Sequence, residues 1–251
     1  MITIKNKAAI HKMEEAGRLL LEIFDQIPNI LKPGLNTLEL DAWIEEQQKL
    51  RNLVSKMKGY RGYRHASCIS INDEVVHGVP SAQVVLVDGD LVKVDVCVSW
   101  NGYCADMARS YFVGRGNVSS QAQKLVQVAR QALDKGIEKA RPGNRLTDIS
   151  AAIQAEVERH GFGVVRDFAG HGIGRQMHED PEILNYGKAS QGPLLQPGMA
   201  FALEPMITLG KYDVYITADG WTVKTVDKSL AAHVEDTIVI TQDKPKIITR
   251  K

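Results

Sequence analysis

Hydrophobic positions recur at helical spacing from the start of the chain. Ile10, Met13, Gly17, Leu20, Leu21, Phe24 and Ile27 share one face up to Pro28, which predicts an opening amphipathic helix that the proline ends. A second helix is expected to start near Thr37 and to carry Leu38, Trp43 and Ile44, and an apolar segment follows from Cys68 to Ile71. From Leu91 to Ser99 the period becomes two. Val92, Val94, Val96 and Val98 fall on one face and Lys93, Asp95, Cys97 and Ser99 on the other, the pattern of a half-buried strand. Asn101-Gly102 comes next, and both central positions of a type I′ turn need positive φ, so the strand is expected to fold back on itself. A two-residue loop sets Trp100 opposite Tyr103 and Asp106 opposite Cys97, which makes Asp95 and Asp106 diagonal neighbours on one face. Further on, Ser120 and Gln123 have capping-box spacing ahead of a long helix marked by Leu125, Val128, Ala129, Ala132, Leu133, Gly136, Ile137 and Ala140 and stopped by Pro142-Gly143. Another helix runs from about Thr147 to His160 and closes at Gly161, and the β-branched run in HVEDTIVI suggests a final strand holding Glu235.

Diagonal cross-strand neighbours have Cα atoms about 7–8 Å apart. Two carboxylates that close either raise one pKa, as in a catalytic dyad, or take cations between them. The hairpin alone fits a pair of solvated acids on an exposed sheet face equally well. A longer-range relation bears on the choice. Pro33-Gly34 and Pro142-Gly143 are 109 residues apart, each between two helices; Gly89 and Gly198 have the same separation, and so do Asp95 and Glu204, within VDGDLVKVD and QPGMAFALE. Equal offsets at three places suggest a duplicated helix-helix-strand unit, against chance agreement of a few identities. With a duplication, a site between the halves receives carboxylates from both.

The chain has 251 residues, enough for one large domain or two small ones with a substantial core. Lys plus Arg is 31 and Asp plus Glu is 30, so no overall field marks nucleic acid or membrane as a partner. The stretch KMKGYRGYRHAS interleaves Lys56, Lys58, Arg61 and Arg64 with Tyr60 and Tyr63; it reads as a solvated loop whose tyrosines turn inward, and as a weaker alternative as a nucleic-acid surface. Cys68, Cys97 and Cys104 are an odd number without framework spacing and fit a reducing compartment. With no apolar run of signal-peptide or membrane-span length, the expectation is a cytoplasmic protein.

His171 lies among three glycines in FAGHGIG, seven residues before His178 in RQMHEDP. A phosphate cradle would need a helix directly after such a loop, and Pro181 interrupts. Glu204 ends an apolar strand before Pro205. Asp95, Asp106, Glu204 and Glu235 thus give four strand acids, to which neutral His171 adds a nitrogen. Two divalent cations would balance four carboxylates, and mostly oxygen donors with one imidazole suit Mn, Fe, Co or Zn without choosing among them. Two such metals sharing a water deliver hydroxide at neutral pH, which is the chemistry of hydrolysis.

The segments INDEVVHGVP, VDGDLVKVDVCV, NGYCADMARSYFVG, FAGHGIGRQMHEDP, LQPGMAFALEPM, DGWTVKT and HVEDTIVIT together resemble the type I methionine aminopeptidases over nearly the whole chain. The resemblance implies an α+β pita-bread fold, a curved, mostly antiparallel sheet backed by helices in two pseudo-symmetric halves. It implies a single catalytic domain over 1–251 with halves of about 1–115 and 116–251. The implied activity is removal of the N-terminal methionine from nascent polypeptides by metal-activated hydroxide. Asp95 would be a terminal ligand to one of two divalent metals, Asp106 and Glu235 would bridge both, and His171 and Glu204 would complete the other. His77 and His178 match substrate-polarising histidines, and Glu204 also matches a proton shuttle. Tyr60, Tyr63, Cys68, Met177 and Trp221 match the pocket for the methionine side chain, while each of these aromatics and histidines taken singly reads as an ordinary core or surface residue. The expected partners are the N-termini of nascent peptides, with transient ribosome contact through the 56–64 loop, no membrane, and a monomeric state.

Three positions depart from the family pattern. Met177 stands where many relatives have an aromatic residue, Met107 where a small hydroxyl residue is usual, and Asp236 where histidine is common. Asp236 is expected to add negative charge beside the metals. Proline-directed relatives such as prolidase carry a further N-terminal domain for which this chain has no room, and a metal-free binding protein of the same fold would be expected to have lost ligands.

Overall fold

A computed structural model describes residues 1–114, 116 and 118–251. In chain order the elements are α1 (Lys7–Phe24), α2 (Ile27–Ile30), α3 (Thr37–Leu50), β1 (Val54–Ser55), β2 (Cys68–Ile71), β3 (Glu74–Val76), β4 (Leu91–Trp100) and β5 (Tyr103–Phe112). Then come α4 (Ser120–Lys139), α5 (Leu146–Glu158), β6 (Gly163–Val164), β7 (Ala169–Gly172), β8 (Glu179–Leu184), β9 (Ala200–Leu203) and β10 (Met206–Thr208). The chain closes with β11 (Val214–Ile216), β12 (Val223–Thr225), β13 (Ala231–His233), β14 (Glu235–Val239) and β15 (Lys246–Ile247).

Local chemistry explains most boundaries. Asn36 caps α3 through a reciprocal capping box with Glu39. Asn101 and Gly102 take φ of 46° and 77°, and the β4–β5 ladder has the expected register, Trp100 against Tyr103 and Cys97 against Asp106. Four expectations are corrected. The first helix stops at Phe24, and Pro28 sits in the first turn of the short α2, where its missing N–H costs nothing. The cap of α4 is Ser119, whose hydroxyl accepts from Ala122 N, so Ser120 lies inside the helix and no Ser120–Gln123 box forms. Glu235 is not on the final strand, since β15 follows and pairs with β14. Strand β4 is buried on both faces: Lys93, Cys97 and Ser99 are as enclosed as the valines, because the Asn72 turn, whose carbonyl accepts from Lys93 Nζ at 2.9 Å, and strand β13 close over the second face.

Among the described residues nine strands form one antiparallel sheet, in the order β1-β4-β5-β14-β9-β7-β8, with β2 also on β4 and β15 also on β14. Helix α1 packs on β4 and β5, while α4 packs on β9 and β14 and α5 on β8. Each half therefore brings its helices and a strand pair with its own apolar cluster, and the halves meet at β5 and β14. This is the pita-bread arrangement, with the site on the face of the sheet away from the helices.

Helix α1 also receives the C-terminal segment. A Cβ added at Gly17 would lie 2.4 Å from the Ile248 carbonyl oxygen, and Ile248 N is bonded to Thr237 O on β14. Alanine is the better helix former by about 1 kcal/mol, whereas overpacking costs about 1–3 kcal/mol, and backbone is the less able to yield. Gly17→Ala is therefore expected to destabilise the protein by up to about 2 kcal/mol in urea unfolding; a stabilised variant would show that the C-terminal segment moves freely off the helix.

Candidate functional site

Strand register brings the acids together. Asp95 on β4 pairs with Ala108 on β5, and Ala108 pairs in turn with Glu235 on β14, so two carboxylates flank a methyl group in one row across three strands. A second row runs from His171 on β7 through Ala202 on β9 to Thr237 on β14. Asp106 lies two residues before Ala108 and Glu204 two residues after Ala202, on the same faces by strand alternation. Alanine between the functional side chains leaves the space into which they converge. Asp106 is fixed from behind, its N–H donating to Thr237 Oγ1 at 2.8 Å and its carbonyl accepting from that hydroxyl at 2.9 Å.

All five expected metal ligands line one cavity of about 450 Å³. Asp106, His171 and Glu235 each place a donor atom within 4.8 Å of the other two. Glu204 Oε1 is 3.4 Å from His171 Nε2, and Asp106 Oδ2 is 3.9 Å from it. The same cavity is lined by Tyr60, Tyr63, Cys68, His77, Met177, His178 and Trp221, so the structure brings the candidate substrate-binding residues to the candidate metal ligands. Tyr63 is buried, its hydroxyl donating to Ser67 O at 2.9 Å, and its ring meets Trp221 edge-on at 5.0 Å. Tyr60 OH is 3.0 Å from His178 Nδ1, and the His178 ring lies 4.3 Å from that of His171. His77, at φ 58°, packs edge-on against Phe168.

The electrostatics are those of a cation site. Burial is the main cause that raises the pKa of all four acids, to about 6 for Asp106 and well above the usual carboxylate range for Asp95, Glu204 and Glu235; the other acids add to this at the last three. Burial also lowers His171 to about 3, so its imidazole is neutral. Its Nδ1 lies 2.9 Å from the Gly172 carbonyl, which can only accept, so Nδ1 carries the proton and Nε2 turns a bare lone pair toward the oxygens of Asp106 and Glu204. Glu235 Oε1 is buried and has no hydrogen-bond partner among the described residues. Lone pairs facing one another across a few ångströms, with an unpartnered carboxylate oxygen among them, fit divalent cations held by carboxylates and one imidazole.

The three departures are resolved differently. Met177 lines the cavity. Met107 is buried in the core behind β5. Asp236, next to Glu235 on the strand, turns to the opposite face, so its carboxylate does not line the cavity, although its charge adds to the rise in the Glu235 pKa. There Arg109 and Arg250 neutralise it at 2.7 and 2.5 Å, and Thr249 donates to it at 2.7 Å. One functional neighbour was missed in the sequence. His233 is buried, its Nε2 lacks a hydrogen-bond partner among the described residues, and that atom lies 3.8 Å from Glu204 Oε2. Its position two residues before Glu235 was the available signal, since i and i+2 in an extended segment share a face.

Residues 11–242 match the sequence profile of metallopeptidase family M24. Over 249 residues the chain is 47% identical to the methionine aminopeptidase of Clostridium acetobutylicum, covering 99% of each. It is 44% identical to methionine aminopeptidase 1 of Bacillus subtilis, covering 100% of each. The crystal structure of the methionine aminopeptidase of Thermotoga maritima superposes with a TM-score of 0.97 at 41% identity, each chain covered completely. A prolidase from Pyrococcus furiosus shares the fold, with a TM-score of 0.78 at 23% identity, and this chain spans 65% of that one.

Removing a donor is expected to cost metal. His171→Ala and Glu235→Gln should each weaken divalent-cation binding, read by calorimetric titration of the folded variants, by at least the roughly 10–100-fold that loss of a supporting partner costs. Affinity equal to wild type would remove that residue from the donor set.

Proposed function

This chain belongs to metallopeptidase family M24, and on that footing we propose that it removes the N-terminal methionine from nascent polypeptides, using two divalent ions held by Asp95, Asp106, His171, Glu204 and Glu235. The observation that carries the reading is the bare His171 Nε2 turned onto the carboxylates of Asp106 and Glu204 in a cavity that also presents the aromatic and sulfur side chains of Tyr60, Tyr63, Cys68, Met177 and Trp221. Co, Mn, Fe and Zn all suit such donors. Bound there, the cations supply Lewis acidity that makes hydroxide available from water at neutral pH.

The chain's own residues do the rest. Asp95, Asp106 and Glu235 would hold the cations at the acidic end of the cavity, which suits a free, neutral α-amino nitrogen and not an acylated one. Tyr60, Tyr63, Cys68, Met177 and Trp221 form the wall that receives the methionine side chain, with sulfur and ring faces that suit a thioether. The lowered pKa of His178, set mainly by its burial, keeps the ring neutral; with the Tyr60 hydroxyl donating to Nδ1, Nε2–H is free to donate to the scissile carbonyl as charge develops on its oxygen. His77, lowered by burial to about 4, is likewise neutral and is assigned to the leaving amide. Glu204, ionised once cations share the cavity with it, is assigned to take the proton of the attacking water and pass it to the departing amine.

The symmetric sheet order and the paired offsets support one catalytic domain built by duplication, with halves of about 1–115 and 116–251. No helix among the described residues is long and apolar enough to cross a membrane. We assign the protein to the cytoplasm as a monomer. Lys56, Arg61 and Arg64 offer basic groups for a transient contact with the ribosome, while Lys58 is already paired with Glu45 at 2.8 Å.

The direct test is release of methionine from Met-Ala-Ser peptides by metal-restored protein, with acetyl-Met-Ala-Ser expected to be inert. Cleavage of the acetylated peptide at a similar rate would contradict an aminopeptidase. His178→Ala is expected to keep its metals and to lose about 10²–10³ in kcat; loss of metal instead would overturn the assignment. Met177→Phe is expected to sharpen discrimination of Met-Ala over Leu-Ala peptides, because a flexible thioether repacks where a ring does not; an unchanged kcat/KM ratio would remove Met177 from the specificity wall.

A further inference from the structure

Lys5 is a lysine near the start of the chain, yet its side chain is only 5% exposed, and Nζ donates to Glu179 Oε2 at 2.8 Å. Thr3 donates to the same oxygen at 2.6 Å. The other oxygen, Oε1, accepts from the backbone N–H of Arg175 at 2.8 Å and of Gln176 at 3.2 Å. Glu179 is thus the hub of the segment between β7 and β8, the segment that delivers Met177 and His178 to the cavity. Its charge is held by donors so well that its pKa falls to about 2 despite partial burial.

We propose that residues 1–5 form a strap that positions Met177 and His178 through the Lys5–Glu179 ion pair; the inference rests on the functional reading above. The sheet holds only the start of this segment, where Ile173 N donates to Ala200 O at 3.1 Å and Gly174 O accepts from Cys104 N at 2.7 Å, and the β7–β8 register shifts at Gly172, which pairs with Glu179 while His171 pairs with Glu182. The turn is instead drawn tight over the carboxylate, with Gly174 N donating to Gln176 O at 3.1 Å. The strap is seated closely at both ends. A Cβ at Gly174 would lie 2.5 Å from Lys5 Cε and 2.6 Å from Glu179 Oε1, and Gly198, which precedes the strand leading to Glu204, accepts from Lys5 N at 2.7 Å. The terminal amine of Met1 pairs with Asp180, the next residue after Glu179. Without Lys5, the Glu179 carboxylate keeps the two loop amides but loses its buried counter-charge, so water is drawn in and the loop loosens under His178. Lys5 touches no substrate and is a positioning residue.

The test uses the full chain carrying Lys5→Met, with Thr3→Val as a milder second variant and Lys5→Arg as the conservative control. Amide exchange at Arg175 and Gln176 is expected to accelerate in Lys5→Met while β4 and β5 stay protected. For Met-Ala-Ser peptides kcat is expected to fall by roughly 10–100-fold, the scale of a misplaced catalytic group, and Lys5→Arg to restore most of it. In a His178→Ala background the same Lys5→Met change is expected to cost almost nothing further. Unchanged exchange at 175 and 176, or an equal loss of kcat with and without His178, would overturn the inference. If wild type itself released no methionine, the functional reading would fall, and the exchange measurement alone would still decide for or against the strap.

Discussion

Four carboxylates share one face of one sheet, and no Lys or Arg ion pair reaches any of them among the described residues; the ion-pair partners recorded there are His171 and His233. That arrangement is unfavourable unless cations occupy the space between the acids, since burial and mutual repulsion both oppose ionisation. Much of the molecule serves to hold the arrangement in place. Alanines at 108 and 202 leave room between the acids, Thr237 pins Asp106, and the Gly172 carbonyl fixes the imidazole so that its lone pair faces inward.

The opposite face of the same strand is treated in the reverse way. Asp236 is fully buried and fully paired, by two arginines and a hydroxyl from the C-terminal segment. Arg109 also donates to the Glu235 carbonyl at 2.5 Å, so the clasp that neutralises Asp236 grips the backbone of the neighbouring acid. Adjacent acids on one strand therefore have opposite roles: Glu235 is left with an unpartnered oxygen in the cavity, and Asp236 anchors the strand from behind.

What the sequence makes legible is what is local or periodic. The β4–β5 hairpin follows from alternation and two residues able to take positive φ, and it already places Asp95 and Asp106 diagonally. The equal offsets paired Asp95 on β4 with Glu204, which follows the end of β9, and both line the one cavity. The resemblance supplied the wall residues, which spacing alone would have left as core. Features that depend on distant partners stayed hidden. The burial of Lys93 depends on the Asn72 turn, 21 residues away, the pairing of Asp236 on Arg109, 127 residues away, and the enclosure of Lys5 on Glu179, 174 residues away. Helix ends were misplaced by a few residues for a smaller reason, because serines and prolines near a terminus satisfy several cap registers about equally.

The most direct measurement is thermal unfolding of chelator-treated protein with and without Mn²⁺, in wild type and in the Asp106→Asn/Glu235→Gln double variant. At free cation near 100 Kd, binding to the folded state alone stabilises by about 2.7 kcal/mol, roughly 5–10 °C for a chain of this size. A metal centre on this sheet face predicts that shift in wild type and its loss in the double variant. An unchanged wild-type melting temperature, or the same shift in both proteins, would contradict it.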